Sequence, residues 1–227
     1  MKIFGKRDKQ KRQNAKTTTY RHIVIFLICS IIVCTASYLL QTPRTETDSF
    51  NKSRPNDTNK NIISKIKWAQ PLQLPGLKNF HKVSDELYRG AQPTAEGMEQ
   101  LKKLGIKTII NLRLLHSDRD EIVNIGLNYE HIRMTTWNPE IEDAVRFLKI
   151  VTDSNRTPVF VHCKHGADRT GTMCAIYRIA VQNWTKEQAI QEMTQGDFGF
   201  HSIWSNLIDY IHELDIDQIK QDSGLVE

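Results

Sequence analysis

Pro158-Val159-Phe160-Val161-His162-Cys163-Lys164-His165-Gly166-Ala167-Asp168-Arg169-Thr170 runs from an apolar segment through a glycine-containing turn into a helical one. Residues 158–161 are apolar throughout, as a strand covered on both faces should be. Residues 170–181 read as a helix. The unit is therefore strand, tight loop, helix. Outward from it the same alternation continues. Residues 83–89 and the β-branched run 106–112 read as strands, and residues 129–134 as a further one. Pro93-Thr94 opens a helix with Met98, Leu101 and Leu104 on one face, stopped by Gly105. Residues 118–125 form a short helix ending at Gly126. Residues 142–152 space Val145, Leu148 and Val151 helically. Thr185 and Gln188 make a capping box. Residues 202–214 close the domain, with Ile203, Leu207, Tyr210 and Leu214 on one face. Alternating strands and helices predict an α/β fold: a central, largely parallel sheet flanked by helices.

The 227-residue chain leaves room for more than this domain. Residues 1–22 hold eight basic residues and one acidic, a net +7, against +5 for the whole chain. The remaining residues therefore carry a net −2. The basic balance belongs to the tail, which excludes a basic nucleic-acid-binding domain. Residues 23–40 are 18 without a charge, about 27 Å of helix, close to the roughly 30 Å hydrocarbon core. They predict one N-terminal transmembrane helix. A cleaved signal peptide has a shorter basic region and a better exit than Cys34-Thr35-Ala36-Ser37. The positive-inside bias keeps the N-terminus cytoplasmic and places the domain outside the cytoplasm, in the periplasm of a bacterial cell. Residues 41–67 read as a flexible polar stalk, and residues 68–227 as the folded domain. Oligomeric state is not encoded in any pattern here.

The loop carries the chemistry. A helix N-terminus following a tight turn presents backbone N–H groups and a positive dipole end, which suits a phosphate. Cys163 sits at the base of that cradle, where the same field favours a thiolate. Arg169 lies six residues on, so the closed loop brings its guanidinium over two phosphate oxygens at once. Gly166 permits positive φ or close approach. Lys164, His165, Gly166, Ala167 and Asp168 complete the phosphate-binding loop. His162 holds the loop from behind, and the Thr170 hydroxyl assists loss of the thiol. A metal cluster at His162, Cys163 and His165 lacks a second ligand pair at zinc spacing, so no metal and no cofactor are expected. Cys174 reads as a small core residue, Arg89 as support for the sheet end, and the Phe198-Gly199-Phe200 loop as part of the cleft.

His162, Cys163, Arg169 and Thr170 match a His-Cys-x5-Arg-Ser/Thr signature, and the domain resembles the protein tyrosine phosphatase superfamily. Within it the loop wording is similar to bacterial periplasmic members of the dual-specificity branch. Leu87-Tyr88-Arg89, Tyr177-Arg178 and Glu192-Met193-Thr194 share the likeness. The resemblance implies Cys163 as nucleophile, a phosphocysteine intermediate and a general acid on an upstream loop. Trp137 and Pro139 are similar to the family's Trp-Pro-Asp loop, but the acidic position is displaced to Glu140. Glu142 and Asp143 are the other candidates, and Glu140 is preferred because it lies outside the helix. Asp168 is read as fixing the loop's shape.

Two substrate classes follow from the resemblance. Phosphoinositide and inositol polyphosphate enzymes of the superfamily place Lys directly after the nucleophile and again three residues later. Lys164 fits the first place, Ala167 does not fit the second, and an exposed Asp168 would repel a polyanion. A phosphorylated protein, phosphotyrosine first and phosphoserine or phosphothreonine second, is therefore the expected partner. The second expected partner is the membrane, through residues 23–40.

Overall fold

Val159–His162 (β6) is the strand at the middle of the domain, and all four of its residues are buried. The computed structural model describes residues 67–226. Before β6 come β1 (Gln70–Pro71), β2 (His81–Lys82), β3 (Leu87–Gly90), α1 (Ala95–Lys103), β4 (Thr108–Asn111), α2 (Arg119–Ile122), β5 (Asn128–His131) and α3 (Ile141–Val151). After it come α4 (Asp168–Ala180), α5 (Lys186–Gln195), a 3-10 turn (Ser202–Trp204), α6 (Asn206–Glu213) and α7 (Ile216–Ser223). The sheet order is β1-β2-β3-β6-β4-β5.

Side-chain alternation explains why β4 and β6 read as apolar runs. Ile109 and Phe160 point into a core with Met98, Leu101 and Ile122 of α1 and α2. Ile110, Val159 and Val161 point to the opposite face, against Phe147 and Leu148 of α3 and Met173 and Ile176 of α4. Successive residues of a strand face opposite ways, so a sheet covered on both sides needs apolar residues at every position.

Two parts of the expected fold are corrected. The sheet is mixed, not largely parallel: β3–β6, β6–β4 and β4–β5 pair in parallel, while β1–β2 and β2–β3 are antiparallel. The sequence of residues 83–89 hides this, because the strand is broken by a turn. The Ser84 hydroxyl accepts the N–H groups of Glu86 and Leu87, and Val83 and Ser84 both donate to the Leu87 carbonyl. Such local bonds compete with strand pairing. The second correction concerns the membrane helix. Among the described residues no helix is long and apolar enough to cross a membrane, and residues 23–40 lie outside them, as do the tail and the stalk to residue 66.

Smaller differences have equally local causes. Residues 202–214 divide into the 3-10 turn and α6, which leaves Ile203 79% exposed while Leu207 stays buried. Helix α7 was not expected, although Asp215 caps it by accepting from the Gln218 N–H at 3.1 Å and Gly224 ends it at φ +74°. The Thr185–Gln188 capping box is present. Arg178 and Glu192 form a buried two-pronged pair, Nε to Oε2 at 2.7 Å and Nη2 to Oε1 at 2.6 Å. The same carboxylate accepts the Ala69 N–H, and Arg178 donates to the Val83 carbonyl. The pair thereby ties the chain around β1 and β2 to α4 and α5.

Candidate active site

Strand β6 ends at His162, and the chain then folds into the loop that opens α4. Cys163 is 2% exposed at its base. Helix α4 begins at Asp168, with Ala167 at the cap and no side chain capping it. The positive end of a 13-residue helix therefore lies at the loop, with Asp168 the acidic residue of its first turn. Arg169 Nη1 donates to the Leu112 carbonyl at 3.3 Å. Arg169 Nε and Thr170 Oγ1 are buried without a hydrogen-bond partner. Burial of an unpaired polar group costs about 1–3 kcal/mol. Two such atoms on neighbouring residues at a helix N-terminus, above a buried thiol, form an anion-binding arrangement.

The loop is shaped by residues distant in sequence. Gly166 has φ +73°, and a Cβ on it would lie 2.4–2.6 Å from the backbone of Gly90 and Ala91. Only glycine fits there, because both conformation and space exclude a side chain. Arg89, fully buried, donates from Nη2 to the Gly166 carbonyl at 2.7 Å. Its guanidinium stacks 3.7 Å over the Phe198 ring, and burial pulls its pKa below the usual arginine value. Asn79 Nδ2 donates to the carbonyls of His165 at 3.0 Å and Phe198 at 2.8 Å. The expected sheet-end role of Arg89 is thus a loop-holding one. Phe198 itself is buried beneath Arg89 and does not line the mouth.

Behind the loop, His162 Nε2 lies 2.8 Å from Asp118 Oδ2, and both side chains are fully buried. The carboxylate is the acceptor, so Nε2 carries the hydrogen. Asp118 Oδ1 accepts from Gln92 Nε2 at 2.7 Å, and the Gln92 N–H donates to the Lys164 carbonyl at 3.3 Å. Burial pushes the Asp118 carboxyl up, but the hydrogen bonds from His162 and Gln92 and the charges of His162 and His116 outweigh it and hold it below the ordinary range. Asp118→Asn is expected to cost about 1–3 kcal/mol at neutral pH, measured by urea unfolding. A depressed carboxyl stabilises fully above its unfolded value near 3.9 and loses that stabilisation as pH falls through the folded value. The gap between variant and parent should therefore shrink below about pH 4; a gap that widens toward acid would contradict the assignment.

Asp168 is bonded to His201, 33 residues on in the chain. Its Oδ1 accepts the His201 N–H at 2.9 Å, and His201 Nδ1 lies 2.9 Å from Oδ2. Asp168 and Ala167 are buried, whereas Lys164 and His165 are exposed at the mouth. The idea that an exposed Asp168 repels polyanions is corrected accordingly: its charge is turned inward and met by His201. Cys174 is a buried free thiol pushed up to about 11 by burial.

The three acid candidates sit at the start of α3. Glu140 is the exposed residue before the helix, and its carbonyl accepts from Tyr210 Oη at 2.9 Å. Glu142 is exposed and Asp143 half-buried in the first turn. Burial, with the charges of Glu140 and Glu142, pushes the Asp143 carboxyl up. Among the described residues, no side-chain hydrogen bond joins these three to the Cys163 loop. The loop before them is tied to the start of α6 by Asn206 Nδ2, which donates to the Thr136 carbonyl at 2.7 Å.

A family model described as DSP-PTPase phosphatase fused to NAD+ kinase matches residues 76–206. The dual specificity protein phosphatase TpbA of Pseudomonas aeruginosa (strain UCBPP-PA14) is 32% identical over 156 residues, covering 67% of this chain and 69% of that protein. A crystal structure of P. aeruginosa TpbA, a cysteine-to-serine variant in complex with phosphotyrosine, superposes with a TM-score of 0.62 at 28% identity. It covers 69% of this chain and 96% of that one. The inositol diphosphatase DSP5 of Arabidopsis thaliana is 30% identical over 125 residues, covering 50% of this chain and 59% of that protein. On the family match, which takes in the whole Cys163 loop, and on the TpbA likeness, the chain belongs to the dual-specificity branch of the protein tyrosine phosphatase superfamily.

Proposed function

We propose that this phosphatase hydrolyses phosphotyrosine, and secondarily phosphoserine or phosphothreonine, in proteins through a phosphocysteine intermediate on Cys163. The observation that carries the reading is the buried thiol beneath an uncapped helix N-terminus flanked by unpartnered Arg169 Nε and Thr170 Oγ1. Cys163 Sγ attacks phosphorus in line. The S–P bond forms, the ester O–P bond breaks, and the leaving oxygen takes a proton from Glu140. Arg169 and the loop amides neutralise the charge that grows on the equatorial oxygens. Water then attacks phosphorus and gives its proton back to Glu140. The S–P bond breaks with the Thr170 hydroxyl donating to the departing sulfur, and inorganic phosphate leaves. No step calls on a metal or cofactor.

Glu140→Gln is expected to lower kcat about 10²–10³-fold, and Glu142→Gln and Asp143→Asn to leave it within a few-fold of the parent. A larger loss in Asp143→Asn or Glu142→Gln than in Glu140→Gln would reassign the role.

One observation supports phosphotyrosine. TpbA, a relative, binds phosphotyrosine in its crystal structure. The alternative, an inositol polyphosphate or phosphoinositide, draws on the exposed Lys164 and His165 and on the relative DSP5. Turnover of phosphotyrosine peptides is expected to exceed that of inositol polyphosphates; the reverse order by a wide margin would overturn the proposal. A location outside the cytoplasm is read from the order of residues 1–40, a basic stretch followed by 18 residues without a charge. A reporter active only outside the cytoplasm, fused after residue 45, is expected to be active, and silence refutes the location.

A further inference from the structure

Among the described residues, the large apolar side chains most open to solvent are Leu115 at 92%, Ile203 at 79%, Val123 at 72% and Trp137 at 66%. Single apolar side chains scattered over a surface are ordinary. These are not scattered, because three of the four stand on segments that border the Cys163 loop. Leu115 comes shortly after Leu112, whose carbonyl accepts from the Arg169 guanidinium. Ile203 comes shortly after His201, whose N–H is bonded to Asp168. Trp137 follows Thr136, whose carbonyl is held by Asn206, at the start of α6 just beyond Ile203. Val123 stands apart, at the end of α2 on the way to β5.

The backbone under the three is pinned. On either side of Leu115, the Arg113 carbonyl accepts from His131 Nε2 at 2.6 Å and the His116 carbonyl from Asn111 Nδ2 at 2.9 Å. Trp137 lies in a turn closed by Thr135 Oγ1, which donates to the Asn138 carbonyl at 2.7 Å and accepts the Asn138 N–H at 3.2 Å. The Trp204 N–H closes the turn that carries Ile203 on the His201 carbonyl at 3.0 Å. Apolar side chains held out in water on fixed backbone need little further ordering when a partner covers them. The loop at the base of the site takes charge, while these three offer apolar surface around it. An inositol polyphosphate is charged on every side and loses by covering such surface. A chain segment lying across the mouth can cover it with the side chains next to its phosphotyrosine. Building on the phosphotyrosine reading above, we infer that Leu115, Trp137 and Ile203 form an apolar rim that selects phosphotyrosine segments with large aliphatic side chains beside the phosphorylated residue. The three determine specificity and are not catalytic residues.

The test uses two phosphotyrosine peptides that differ only in having Leu or Ser on both sides of the phosphotyrosine. They are turned over by the full chain, by the double variant Leu115→Ser with Ile203→Ser, and by Val123→Ser. All three replaced side chains are too exposed for their loss to threaten the fold. For the parent, kcat/KM for the Leu peptide is expected to exceed that for the Ser peptide about 5- to 20-fold, through KM rather than kcat. In the double variant this ratio should fall at least about threefold, whatever happens to the common rate, while Val123→Ser keeps the parent's ratio. Equal turnover of both peptides by the parent, an undiminished ratio in the double variant, or an equal fall in Val123→Ser overturns the rim and leaves the phosphotyrosine reading intact. A higher kcat/KM for a phosphoinositide in phosphatidylcholine vesicles than for the Leu peptide, lost in the double variant, gives the rim to a lipid surface and overturns both. Failure of the parent to turn over either peptide, with rapid turnover of inositol hexakisphosphate, also overturns both.

Discussion

Cys163→Ser is expected to lose at least about 10⁴-fold in turnover of para-nitrophenyl phosphate, with metals chelated, and to keep its fold. A serine is nearly the shape of a cysteine, and the position is already enclosed at the base of the loop. What changes is the nucleophile. The hydroxyl holds its proton throughout the neutral range and is a far weaker nucleophile toward phosphorus than sulfur. The phosphate cradle survives, because it is made of α4 amides, Arg169 and the Gly166 turn rather than of the sulfur. The variant should therefore still bind phosphotyrosine peptide while failing to cleave it. Retained turnover would mean that another group attacks phosphorus.

Arg169→Lys is expected to lower kcat about 10²–10³-fold, with unfolding by urea little changed. The guanidinium is held from one side by the Leu112 carbonyl at 3.3 Å, while Nε is buried and unpartnered. A planar fork anchored at one end can present two parallel N–H groups to phosphate oxygens. Lysine keeps the charge but offers a single point donor on a flexible stem, so it cannot meet two oxygens in one plane. The loss should fall on kcat more than on KM, since charge on those oxygens rises toward the transition state. A drop of less than about tenfold would move the clamp elsewhere.

The loop itself was legible because its parts are contiguous. Apolar residues before His162, a glycine at the turn and an uncapped helix after Ala167 are all local features. The residues that hold the loop were not legible as such, because each acts across a long stretch of chain. Arg89 reaches Gly166 over 77 residues, Asn79 reaches His165 over 86, Asp118 reaches His162 over 44, and His201 reaches Asp168 over 33. No periodicity encodes such pairings. A partial signal existed: Arg89 stands directly before Gly90 at a strand end. The mixed sheet was hidden for a different reason. Strands β1 and β2 have two residues each, too short to show alternation, and Ser84 splits a run that looks continuous.

The covalent step itself is the most direct test of this account. The wild-type chain, mixed with a phosphotyrosine peptide and quenched in acid during turnover, is to be digested and its peptides sequenced by mass spectrometry. A phosphoryl group on Cys163 that disappears once substrate is exhausted is expected. A phosphoryl group on His165 or His201, or an unmodified Cys163 throughout steady turnover at a pH where hydrolysis of the intermediate limits the rate, would contradict it.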